Sequence, residues 1–182
     1  HNCKTGTKWL TGGLMVWVSP GNPIIENNTI VGNTSSTQAG GVSINTSTPV
    51  FINNIIWGNR QSTGTQVTGI KKDMFSYCNI EQNTSGEGNF QSFPFFQPGV
   101  FTLAAGSPCI DAGNPNVNYN DIENDEESGK ALIPSLGNLR NDLGAFGGPG
   151  AMIMNSIHVE DIYLSEEIIN FKTVDVGDSA MS

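Results

Sequence analysis

Pro23-Ile24-Ile25-Glu26-Asn27-Asn28-Thr29-Ile30-Val31-Gly32-Asn33 returns 26 residues later as Pro49-Val50-Phe51-Ile52-Asn53-Asn54-Ile55-Ile56-Trp57-Gly58-Asn59. A third copy, 24 residues further on, is Asp73-Met74-Phe75-Ser76-Tyr77-Cys78-Asn79-Ile80-Glu81-Gln82-Asn83. Gly12-Gly13-Leu14-Met15-Val16-Trp17 and Gly40-Gly41-Val42-Ser43-Ile44 precede the first two copies. Each unit is therefore a glycine pair, a strand, a Pro-led strand, an Asn corner, a third short strand and Gly-Asn. Repeats of this length stack one unit on the next, because a single unit cannot bury its own apolar face. Leucine-rich repeats share the period, but their LxxLxL pattern is missing. Short strands closed by Asn or Gly fit one coil of a parallel β-helix. Stacking then puts Ile25, Phe51 and Phe75 in one apolar column and Ile30, Ile56 and Ile80 in another. Asn28, Asn54 and Cys78 form a third column. At a corner, Asn tolerates left-handed backbone, and its amide can bond the Asn above and below. Asn33, Asn59 and Asn83 predict a second such ladder.

Composition agrees with many tight corners. Hydrophobic residues make up 37% and charged residues 14% of the 182, with 22 Gly and 9 Pro. Nine Phe and three Trp argue for a packed chain over a disordered one. Eight basic against seventeen acidic residues give a formal charge of −9. Nucleic-acid binding needs clustered cations, so that class of partner is excluded, and an anionic membrane surface is disfavoured for the same reason. No run reaches the roughly 18 apolar residues of a membrane span. Cys3, Cys78 and Cys109 have neither CxxC nor zinc spacing, and Cys78 and Cys109 read as buried free thiols. His1-Asn2-Cys3 reads as the interior of a longer protein.

Candidate chemistry is sparse. Within the coils the acids are Glu26, Asp73 and Glu81 and the bases Arg60, Lys71 and Lys72. They fall in different columns, so no pair of carboxylates faces one bond as glycoside hydrolysis requires. Lys71-Lys72-Asp73 reads as a solvated turn. His1 and His158 have no obvious triad partner. The acidic concentration lies in Asn118-Tyr119-Asn120-Asp121-Ile122-Glu123-Asn124-Asp125-Glu126-Glu127. Its alternating oxygens suit a hard cation, with Asp121, Glu123 and Asp125 as candidate calcium ligands; a solvated surface loop is the other reading. The spacing is not that of an EF-hand. Trp57 on an outward strand position could stack on a sugar ring as a carbohydrate surface ligand, or pack beneath a loop. Four sequons, at Asn27, Asn33, Asn45 and Asn83, raise glycosylation, although repeated corner asparagines generate such triplets by themselves.

These residues resemble the Asn/Gly-rich parallel β-helix repeats of large secreted bacterial proteins. The likeness is tightest after the coils. Asn89-Phe90-Gln91-Ser92-Phe93-Pro94-Phe95-Phe96, followed by Phe101-Thr102-Leu103-Ala104-Ala105-Gly106-Ser107-Pro108-Cys109-Ile110-Asp111-Ala112-Gly113, is similar to their DPLF…LxxGSPCIDAG closing segment. Arg140-Asn141-Asp142-Leu143-Gly144-Ala145-Phe146-Gly147-Gly148-Pro149-Gly150-Ala151 is similar to their RNDMGAYGGPGA terminus. Ile169-Asn170-Phe171-Lys172-Thr173-Val174-Asp175-Val176-Gly177-Asp178-Ser179 resembles the opening strands of an ASPM-SPD-2-Hydin immunoglobulin-type sandwich, with Lys172 where that pattern has Gly.

The expected fold is all-β: a right-handed parallel β-helix over 1–151, with coils at about 12–100 and a capping segment at about 101–151, then a strand-rich tail over 152–182. In the capping segment Asp111 is expected to accept backbone N–H bonds from the Ala-Gly turn that follows it. The resemblance implies a secreted or cell-surface, non-enzymatic structural protein: a stalk, an adhesin or an extracellular filament subunit. Its partner would be a second copy, met through the β-helix ends and a strand contributed by the tail at 165–182. The alternative is the non-catalytic C-terminal part of a β-helix polysaccharide lyase or glycoside hydrolase.

Overall fold

The computed structural model describes residues 4–5, 11–17, 21–62, 65–71, 73–82 and 84–151. Two units divide the chain, His1–Met152 and Ile153–Ser182, and every described residue belongs to the first. The expected connector, the sandwich-like strands and the strand addition by 165–182 lie outside the described residues, as do Cys3, Asn83, His1 and His158.

Twelve short strands carry the described architecture: Lys4–Thr5 (β1), Leu14–Trp17 (β2), Ile24–Glu26 (β3), Thr29–Val31 (β4), Thr34–Ser35 (β5), Val42–Asn45 (β6), Val50–Ile52 (β7), Ile55–Trp57 (β8), Arg60–Gln61 (β9), Val67–Thr68 (β10), Phe75–Ser76 (β11) and Asn79–Ile80 (β12). One turn of 3-10 helix spans Val117–Tyr119. Each strand pairs in parallel with the strand four places on, giving the sheets β1-β5-β9, β2-β6-β10, β3-β7-β11 and β4-β8-β12. The repeat unit thus holds four strands, not the three expected. The extra strand, Thr34–Ser35 or Arg60–Gln61, is only two residues long. That is too short for alternation of apolar and polar residues to mark it in a sequence.

The expected apolar columns are register partners. Ile25 and Phe75 both pair with Phe51, and Ile30 and Ile80 with Ile56. Leu14 and Val67 flank Val42, and these columns meet in one core with Val16, Ile44, Met74 and Cys78. The Phe51 and Phe75 rings stack at 4.5 Å and 10°. Burying side chains of this size supplies about 1.5–3 kcal/mol each. Because successive strand residues face opposite ways, Ile55 turns away from this core. It is fully buried nevertheless, against Leu103, Cys109 and Leu143 of the segment after the strands.

Corners divide the work between two adjacent residues. Asn27, Asn53 and Tyr77 take the left-handed backbone (φ 51°, 57° and 50°), as do Gly32 and Gly58 (φ 67° and 65°). The residue after each makes the ladder. Asn28 N–H donates to Asn54 Oδ1 (2.9 Å), and Asn54 N–H reaches Cys78 Sγ (3.4 Å). Cys78 N–H donates in turn to Asn89 Oδ1 (2.9 Å). Gly88 before it has φ 67°, so Gly88-Asn89 is one further corner on a pass cut short. Asn33 N–H donates to Asn59 Oδ1 (3.0 Å) as expected. Above Asn59 the rung is Gln66 from the loop before β10, whose Oε1 accepts Asn59 N–H (3.0 Å).

Candidate functional site

The acidic loop sends its carboxylates to different tasks. Asp121 is buried, accepting Asp142 N–H (3.0 Å to Oδ2) and Gly148 N–H. Glu123 is exposed and closes a turn, accepting Gly129 N–H (2.8 Å) and Ser128 O–H (3.0 Å), bonds that hold its carboxyl below the usual range. Asp125 is exposed on the turn that follows. Among the described residues no three His, Cys, Asp or Glu side chains are grouped to hold a metal ion.

Asp121 instead ends a relay that the sequence did not announce. Asp111, at φ 53°, accepts Asn138 N–H and Nδ2–H (both 2.9 Å), not the following Ala-Gly turn as expected. Its own N–H donates to Asp142 Oδ1 (2.8 Å), whose second oxygen accepts Leu136 N–H (2.7 Å). Asp142 N–H then reaches Asp121. Three carboxylates thereby tie together four stretches of chain that have no sheet to join them, each supplying the acceptors that buried N–H groups require. Burial pushes the Asp142 carboxyl up to about 6 and the Asp121 carboxyl up to about 7, against the pull of their amide bonds. Only long-range pairing gives these aspartates their role, so spacing along the chain carries no signal of it.

The two described cysteines are free and buried, as expected. Desolvation pushes both thiols up to about 11, which leaves them protonated and poor nucleophiles near neutral pH. Cys109 Sγ accepts Asn79 Nδ2–H (3.1 Å), while Asn79 also exchanges two bonds with the Ser92 backbone. In the strand region Arg60 and Glu81 form an ion pair. Arg60 holds Glu81 through both guanidinium nitrogens (2.7 and 3.1 Å), and Glu81 also accepts Gly58 N–H (2.8 Å) and Gln66 Nε2–H (2.9 Å). Trp57 is half-buried and packs against the segment after the strands, edge-on to Phe93 at 6.2 Å. Of the sequons, Asn33 donates its Nδ2 to Asn59 and Asn27 donates its own to Asn141, which engages the nitrogen a glycan would need.

Clefts open on the surface among the described residues. One, of about 230 Å³, lies where the Glu26-Asn27 corner meets Asn118-Tyr119 and the stretch Ala145 to Gly150. A run of amide bonds stands behind it: Asn53 Nδ2 to Asn27 Oδ1 (3.4 Å), Asn27 Nδ2 to Asn141 Oδ1 (3.3 Å), and Asn141 Nδ2 to the Tyr119 carbonyl (2.8 Å). A second, of about 250 Å³, has Trp17, Gln38, Asn45 and Thr68 among its walls. No protein-family model, curated protein or solved structure matches this chain. The geometry therefore stands by itself: an all-β chain of stacked parallel strands, a segment closed by buried aspartates, and shallow clefts on its surface.

Proposed function

We propose that the chain is a right-handed parallel β-helix closed by a C-terminal cap, and that it serves as a non-enzymatic structural element. In this reading it belongs to a secreted or cell-surface protein of the stalk, adhesin or filament type. The observation that carries the reading is where the polar side chains go. Asn28, Asn54 and Asn89, like Asn33, Asn59 and Gln66, bond the neighbouring pass of chain, so they hold the stack together instead of converging on a ligand. Such ladders suit a rod that bears load along its axis. The likeness of residues 101–113 and 140–151 to the closing segments of secreted bacterial β-helix proteins supports the same reading.

Self-association follows from the edges. Among the described residues β2, β3 and β4 each pair on one side only, and a row of unpaired strand groups is a template for another chain. Sedimentation velocity and electron microscopy of the whole chain test the idea. Association that rises with concentration, and falls when residues 165–182 are deleted, is the expected result. A monomer at every concentration would count against assembly, and association untouched by the deletion would remove the tail from it. Depolymerisation of any polysaccharide by the purified chain would overturn the non-enzymatic reading.

A further inference from the structure

We infer that the cleft between the Glu26-Asn27 corner and the capping segment is a binding site for a neutral saccharide. This stands whether or not the chain assembles. The cleft's volume, about 230 Å³, suits one or two sugar rings lying partly in solvent. Tyr119 supplies a half-buried aromatic ring in its wall, and the C–H face of a pyranose packs on such a ring. Tyr119 O–H, the Asn118 carboxamide and the Glu26 carboxylate, all lining the same cleft, have no partner among the described residues. Backbone groups of Asn118 and Tyr119 are engaged, which fixes the turn and leaves the side chains to the cleft.

The donor and acceptor inventory selects the ligand class. Glu26 only accepts, Asn118 both donates and accepts, and Tyr119 O–H does either. A sugar hydroxyl is donor and acceptor at once and can answer all three. An ammonium group could meet Glu26 and the ring, but it has no acceptor for Asn118 Nδ2–H or Tyr119 O–H. An anionic ligand would face Glu26 on a chain of formal charge −9. The cleft is also formed in advance. Its walls are joined from behind by the Asn53-Asn27-Asn141-Tyr119 amide run, and Gly148 lies so close that a Cβ there would sit 2.8 Å from Asn27 Nδ2. A site that is already shaped loses less freedom when a ligand binds.

Calorimetry and saturation-transfer NMR with the whole chain test this, using maltotetraose, cellotetraose, mannotetraose and chitotetraose as probes. Tetragalacturonate serves as the acidic counterpart and spermidine as the cationic one. At least one neutral tetrasaccharide should bind. Its affinity should fall about tenfold or more in Glu26→Gln, which removes charge-assisted bonds from an exposed side chain and leaves the fold intact. Binding should be lost in Tyr119→Ala, largely kept in Tyr119→Phe, and unchanged in Trp17→Ala at the other cleft. Failure of all four neutral probes overturns the inference. So do tighter binding of tetragalacturonate or spermidine, binding that survives both Glu26→Gln and Tyr119→Ala, and binding lost only in Trp17→Ala.

Discussion

Asn54 shows how much one corner residue carries. Its Oδ1 accepts the Asn28 backbone and its Nδ2 donates to the Ile25 and Ile52 carbonyls (2.8 and 2.9 Å), all in a fully buried position. Asn54→Ala would leave the Asn28 N–H without its acceptor and strip one donor each from the Ile25 and Ile52 carbonyls, the latter keeping the Asn27 N–H (3.1 Å), at about 1–3 kcal/mol in all. A loss of about 1–3 kcal/mol in urea unfolding is expected. Cys78 occupies the next rung, and its thiol makes the homologous contacts to the Ser76 and Phe51 carbonyls at 3.2 and 3.7 Å. Restoring the amide with Cys78→Asn should therefore be tolerated and raise stability by about 1 kcal/mol. The buried aspartates make a different prediction. With Asp121 up at about 7 and Asp142 at about 6, the folded state keeps protons that the unfolded chain gives up near pH 4. Their contribution is full below that pH and is lost as pH rises towards 7. Glu81 and Glu123, held low, act in the opposite sense, but their contribution is complete once pH is above the ordinary carboxylate range. The thermal midpoint should thus fall between pH 5 and about 8, and Asp121→Asn should flatten that slope.

The turns between strands show why glycine stands where it does. At Gly69 (φ 79°) an added Cβ would lie 2.0 Å from the Ile44 carbonyl oxygen of the pass below, whereas at Gly21 (φ 87°) it would meet nothing within 4 Å. Both substitutions to Ala suffer the left-handed penalty of about 1–2 kcal/mol. Only Gly69→Ala also forces apart the β6–β10 pairing that it adjoins. We expect Gly69→Ala to lower the unfolding midpoint well beyond Gly21→Ala, with circular dichroism showing loss of strand signal at lower temperature. The same geometry explains the paired residues at each corner. One of them takes the positive φ and the next projects its amide along the stack, so Asn-Asn, Gly-Asn and Tyr-Cys are interchangeable there.

Taken whole, the described unit has two cores that meet across one sheet. Ile56 faces the first and Ile55 the second, and Leu143 closes the second at 1% exposure beside Leu103 and Cys109. Gly144 N–H also donates to the Asn53 carbonyl (2.9 Å), and Asn114 N–H to Asn53 Oδ1 (2.8 Å). The segment at 101–151 is therefore continuous with the strands in packing and in hydrogen bonding. Leu143→Ala should cost about 2–5 kcal/mol, and unfolding should remain one transition by both tryptophan fluorescence and circular dichroism. Separate transitions would mean that the segment at 101–151 and the strands are independent units.

Repetition made much of this legible in the sequence. Identical spacing of Ile25, Phe51 and Phe75, and of Ile30, Ile56 and Ile80, names the columns, because a residue stacked on its own copy must face the same way. The Asn28 and Asn33 ladders follow from the same rule. What falls outside the repeat did not show. The two-residue strands Thr34–Ser35 and Arg60–Gln61 are too short to carry a pattern. Gln66, from a loop, bonds Asn59 with no repeat spacing to announce it. Asp121 reads as a surface acid beside Glu123 and Asp125 until the fold brings Asp142 and Gly148 onto it from 21 and 27 residues away. Local spacing determines which residues stack. Burial, and the partner each polar atom finds there, is a property of the assembled chain, and that is what decided the role of the aspartates and the place of the cleft.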